Sequence, residues 1–138
     1  MSQQSVKVSV YDFIIRTYGP NGLFEIGSII NAFLKKIGAR DGLVVIECMG
    51  STGALLVADP RAIRNIKEKE LWNLVPVIFD WSHEGNAYAH LRSTVLGTHL
   101  SLPVREGSLA IGSNGIFFVE NQCYLSRERH IYVTYIGL

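Results

Sequence analysis

Two imidazoles and a carboxamide crowd one short stretch of this chain, His83, Asn86 and His90. If the residues from Asn86 to Leu96 coil into a helix, Asn86 and His90 stand four apart and share a face, with His83 just before the first turn. A neutral imidazole binds a metal or takes up a proton near neutral pH, and an amide beside two of them makes a polar pocket. His83 and His90 are therefore the candidate catalytic residues, and Asn86 the candidate ligand-orienting group. Capping and packing are the competing uses of the same residue types, because polar side chains are usually satisfied locally. A second candidate is Gly50-Ser51-Thr52-Gly53, where Ser51 and Thr52 can offer hydroxyls and backbone amides to a phosphate or simply make a turn.

The elements that must hold these residues are readable from periodicity. Val6, Val8 and Val10 alternate with polar neighbours before the apolar run Phe13-Ile14-Ile15, a strand that Gly19-Pro20-Asn21-Gly22 ends. Ile26, Ile29, Ile30, Phe33, Leu34 and Ile37 fall at helical spacing, with Glu25 in the first turn and Gly38 at the stop. Leu43 to Met49 and Ala54 to Val57 read as strands on either side of the Ser51-Thr52 interruption. Asp59 before Pro60 has the pattern of an N-cap and first helical residue, and Ile63, Ile66, Leu71 and Leu74 carry that helix to Pro76. A short strand at Val77 to Phe79 leads to the histidine helix, which Gly97 ends. Thr98 to Val104, Ser108 to Ile111, Gly115 to Glu120 and His130 to Ile136 complete the strands. The whole predicts an α+β chain, a predominantly antiparallel, sandwich-like β core with about three flanking helices, in a single domain over residues 1–138.

Composition narrows the partners. Net charge is +1 and no basic stripe carries interleaved aromatics, so nucleic acid is not an expected partner. The longest apolar runs fall short of a bilayer span and Met1-Ser-Gln-Gln-Ser has no signal-peptide pattern, so no membrane partner is expected and the location expected is cytoplasmic. Charged residues are only 18% of the chain, which predicts that some apolar surface meets another subunit. Cys48 and Cys123 lack metal or redox spacing and read as buried small hydrophobes. Arg92 points away from His90 on a helix and suits an intersubunit pair, while His99 and His130 suit solvent or a subunit contact.

From about Gly42 to Gly137 the chain resembles the YjbQ-like family, which is associated with secondary thiamine-phosphate synthase activity. The resemblance rests on His83, on Asn86 to Leu91, on Leu96-Gly97, on Leu102-Pro103-Val104 and Gly107 to Gly112, on Glu120, and on a last strand opening at Arg129. It implies a sandwich-like domain assembled as a homotrimer, with a pocket lined from Gly50 to Gly53 and by Asp59, His83, Asn86 and His90 that holds a metal or an anion. His83, His90 and Asp59 are the implied metal ligands, and two imidazoles with one carboxylate suit zinc or a related divalent ion better than magnesium.

This sequence departs from the family pattern where Gly50 replaces a histidine, Ala58-Asp59 an Asn-Glu pair, and Gly112-Ser113-Asn114-Gly115 a Gly-Thr-Trp-Gln segment. An aspartate of the pattern also has no counterpart near Asn65 and Ile66. Two functions follow. One is a phosphate- or metal-binding pocket for a phosphorylated small molecule, with weak thiamine-phosphate synthase activity; the other is a noncatalytic homotrimeric scaffold that binds a ligand or a protein and has lost the reaction.

Overall fold

The computed structural model describes residues 5–77, 86–122 and 125–138. His83, Trp81, Cys123 and the end of the strand expected at Val77 to Phe79 lie outside the described residues. In chain order the elements are β1 (Lys7–Thr17), β2 (Gly22–Glu25), α1 (Gly27–Lys36), β3 (Gly42–Cys48), β4 (Gly53–Ala58), the helical run α2 (60–74), α3 (Ala87–Leu96), β5 (His99–Arg105), β6 (Ser108–Leu109), β7 (Gly115–Glu120) and β8 (Arg127–Gly137). Every described strand pairing is antiparallel. One sheet has the order β1-β8-β3-β5-β6 and the other β2-β7-β4, so the expected α+β sandwich is the fold observed.

Strand alternation produces the core directly. Ile131, Val133 and Tyr135 of β8 and Val44, Ile46 and Cys48 of β3 face inward, where they meet Leu55, Ile116 and Phe118 of the second sheet. Ile26, Ile30, Phe33 and Leu34 of α1 pack into the same cluster. Each of these side chains withdraws apolar surface from water, worth about 1.5–3 kcal/mol for a fully buried aliphatic or Phe. The opposite side of the small sheet is covered by helices, with Ala54 and Val119 against Leu71 and Ile66 of α2.

Two elements differ from expectation for local reasons. β2 is a four-residue strand that periodicity cannot resolve, and its register against β7 pairs Gly22 with Glu120 and Glu25 with Phe117. Glu25 therefore precedes α1, and its carboxylate accepts the N–H groups of Gly27 and Ser28 that the first turn leaves open. α2 is not one regular helix. A 3₁₀ turn at Pro60–Ala62 and an α turn at Ile63–Asn65 lead into a π segment, Ile66–Glu70, before Leu71–Leu74. The five-residue spacing from Ile66 to Leu71 explains it: a π turn, closed by Leu71 N–H on the Ile66 carbonyl, brings both side chains to one face.

Cys48 is 5% exposed, and burial pushes its thiol up to about 11 against a smaller lowering effect of Arg129. A thiol is nucleophilic only as thiolate. Cys48 should therefore resist iodoacetamide in the native protein at pH 8 and label fully after denaturation. Peptide mass spectrometry reads the difference, and equal labelling in both states would contradict this packing.

Candidate functional site

The two sheets and α3 meet at one corner, and there the chain leaves a polar recess. The carbonyl of Thr98 accepts the Cys48 N–H at 2.9 Å, and that of Gly97 accepts the Leu55 N–H at 3.0 Å, so the turn from α3 into β5 is tied to both sheets. Ser93 Oγ donates to the Gly53 carbonyl at 2.6 Å, which seats α3 on the start of β4. Gly50 turns the β3–β4 connection with φ at +106°, a left-handed backbone that glycine adopts without a Cβ penalty. The outcome is a pocket of about 390 Å³ whose walls include Gly50, Ser51, His90, Thr94, Thr98 and His99.

The structure thus joins two of the expected site residues, Ser51 and His90, in one pocket. Thr52 is next to it, but its hydroxyl accepts a hydrogen bond from Arg129 Nη2 at 2.7 Å. Asn86 starts α3 as expected, yet its Nδ2 donates to Gln122 Oε1 at 3.2 Å and its Oδ1 is buried without a partner. His83 lies outside the described residues.

Asp59 is elsewhere. Six residues of β4 separate it from Thr52, roughly 20 Å of extended chain. Its Oδ1 accepts the Arg61 N–H at 2.9 Å, the N-cap geometry anticipated for Asp59-Pro60. The Arg61 guanidinium also donates to it, and these bonds hold the carboxyl below its ordinary value. The cap is therefore complete above the ordinary carboxyl pKa and is lost as pH falls through the lowered one. Among the described residues no three His, Cys, Asp or Glu side chains converge as a metal set; His83, one of the three expected ligands, lies outside the described residues. Asp59→Ala is expected to loosen the first turn of α2 while leaving ligand affinity at the Ser51 pocket unchanged; an affinity loss measured by calorimetry would contradict that separation.

His99, expected at solvent or a subunit contact, is exposed and also lines the pocket. Its alternation on β5 shows which face it occupies, but only the meeting of β5 with α3 shows what it faces. Arg92, expected at a subunit contact, is fully buried: Nε donates to the Val75 carbonyl at 2.8 Å and Nη1 to Asn21 Oδ1. Burial without a described carboxylate pushes its guanidinium down to about 10. It anchors α3 to the chain ahead of β2 and to the end of α2. His130 stays on the outer sheet face, with Nε2 2.5 Å from Asp12 Oδ2 and its ring stacked on Tyr132.

A larger groove of about 490 Å³ lies between β1 and α1, lined by Val10, Tyr11, Phe33 and Ile37 with Lys36 at its side. It has volume but no converging polar groups. The smaller pocket gathers hydroxyls and imidazoles instead.

Comparison with known proteins agrees with this architecture. A UPF0047 protein of Methanothermobacter thermautotrophicus is 30% identical over 96% of this chain and 94% of its own length. UPF0047 protein YugU of Bacillus subtilis is 27% identical over 89% of this chain and 96% of its own. Among solved structures, a YbjQ-like protein of unknown function from Sulfolobus solfataricus superposes with a TM-score of 0.86 at 29% identity, covering 97% of this chain and all of that one. A hypothetical protein from Aeropyrum pernix gives 0.81 at 28% identity, over 94% of this chain and 99% of that one. No helix among the described residues is long and apolar enough to cross a membrane. Residues 11–138 match the profile described as UPF0047 protein YjbQ-like, and the chain belongs to that family.

Proposed function

We propose that the corner pocket binds the phosphoryl group of a small molecule, with His90 and Ser51 as its donors. The observation that carries this reading is the lining itself. Its side chains are hydroxyls and imidazoles, with no carboxylate among the described walls to repel an anion or to coordinate a hard cation. Gly50 and Ser51 add an open turn at the rim.

Thiamine-phosphate synthase chemistry is the reaction the family resemblance suggests, and it makes a heavier demand. Departure of diphosphate needs concentrated positive charge or a divalent ion where negative charge builds up. No lysine or arginine lines the described pocket, and Asp59 is spent on its cap. These residues support binding more strongly than transfer, so synthase turnover is expected to be slow at most. The scaffold reading draws on a separate feature. Val8 and Val10 on β1 are 65% and 74% exposed, and Leu43 and Ile136 extend the apolar face across the sheet. A homotrimer that buries this face fits so much exposed apolar surface.

Calorimetric titration with phenyl phosphate tests the pocket. His90→Asn is expected to weaken binding about tenfold or more, the value of a hydrogen bond to a charged group, with the far-ultraviolet circular dichroism unchanged. Unaltered affinity in that variant would overturn the assignment.

A further inference from the structure

We infer that His99 is the pocket's second phosphate-binding imidazole and selects a phosphate monoester as ligand. The inference rests on the phosphoryl-pocket reading and adds a residue to it from a different element. His90 comes from α3 and His99 from the first position of β5, so the two rings stand on separate walls of one recess. Gly50 has no side chain to contribute between them.

The placement of His99 is rigid for a residue so exposed. The two carbonyls immediately before it are committed, Gly97 to Leu55 N–H and Thr98 to Cys48 N–H, which pins its backbone to both sheets. β5 then pairs with β3 so that His99 stands directly opposite Glu47. Residues paired this way have Cβ atoms roughly 5 Å apart on the same sheet face. This pairing fixes the sheet face from which the ring projects, and a ring N–H there can donate to a phosphoryl oxygen. The dianionic head of a monoester offers three oxygens, enough to engage His90, His99 and the Ser51 hydroxyl together. An unsubstituted phosphate has the same head but no organic group to occupy the rest of the recess.

The test is calorimetry on the full chain with two probes, phenyl phosphate and inorganic phosphate, for the unaltered protein, His99→Asn, His99→Lys and His90→Asn. Phenyl phosphate should bind more tightly than inorganic phosphate, and His99→Asn should weaken both by about tenfold. His99→Lys, which supplies a hydrogen-bond donor at an exposed position, should recover most of the loss. If His99→Asn binds like the unaltered protein while His90→Asn does not, His99 is a bystander and the pocket reading survives without it. If inorganic phosphate binds as tightly as phenyl phosphate, monoester selection is wrong. If the unaltered protein binds neither probe, the pocket reading falls and this inference with it.

Discussion

Glu120→Ala is expected to destabilise the fold by about 3–5 kcal/mol, the largest effect of any polar substitution anticipated here. Glu120 is fully buried at the end of β7 and Arg129 is 8% exposed on β8. Arg129 Nε donates to Glu120 Oε1 at 2.7 Å, Arg129 Nη2 donates to Oε2, Thr17 Oγ1 donates to Oε1 at 2.6 Å, and the Gln122 N–H reaches Oε2 at 3.0 Å. One carboxylate thus joins β1, β7 and β8, and through Arg129 the hydroxyl of Thr52. Removing it leaves a guanidinium out of water without a counterion, along with a stranded hydroxyl and amide. In a chain of this length the loss amounts to a fall in Tm of roughly 10–15 °C. Scanning calorimetry reads it directly, and a fall of only a degree or two would mean that solvent reaches the pair. Because Thr52 adjoins Ser51, the same network holds one rim of the pocket in place.

The second large effect is at Phe118, fully buried in β7 between the register partners Phe24 and Leu55. Phe118→Ala should cost about 3–5 kcal/mol through lost burial and the cavity left behind. Gly53 makes the prediction sharper. A Cβ on Gly53 would lie 2.4 Å from the Phe118 ring Cζ and would meet no other side chain so closely, so the ring occupies the space that glycine leaves. Gly53→Ala alone should therefore destabilise by about 1–3 kcal/mol through overpacking. Combined with Phe118→Ala, its methyl enters the vacated volume and the clash disappears. The double variant should be more stable than the sum of the two losses by about 1 kcal/mol or more. Urea denaturation of all four proteins closes the cycle, and additivity within about 0.5 kcal/mol would show that the ring can move aside without cost.

Where the sequence was legible, a single periodic signal coincided with a single structural cause. Ile131, Val133 and Tyr135 alternate because one face of β8 is core, and the apolar spacing from Ile30 to Phe33 and Leu34 marks the buried side of α1. Asp59-Pro60 announced its cap because that geometry is local. β2 was missed because four residues carry no period, and their strand state is imposed by β7. The π segment of α2 was likewise hidden in a spacing that neither a regular helix nor a strand produces.

The site divided along the same line. The helical relation of His90 to Asn86 was correct in register, but whether Asn86 turned to a ligand or to Gln122 depended on a residue 36 positions away. Asp59 is not among the residues lining the pocket and stands past the far end of β4 from Thr52, a separation invisible until Gly53–Ala58 is known to be one strand. For His99 the exposure was legible but the pocket was not, for the converse reason. It is remote from Ser51 in sequence, and only the joint pairing of β3 with β5 and packing of α3 on β4 bring them to one recess.

The central claim is that a phosphorylated ligand sits at the corner made by the β3–β4 turn, α3 and the start of β5. Amide chemical-shift mapping during titration with phenyl phosphate tests it most directly. The account predicts the largest shifts at Gly50, Ser51, His90, Thr94, Thr98 and His99, with little change at Asp59 or in the groove beside Tyr11 and Phe33. Shifts concentrated in that groove or around Asp59, or none at saturating phenyl phosphate, would contradict it.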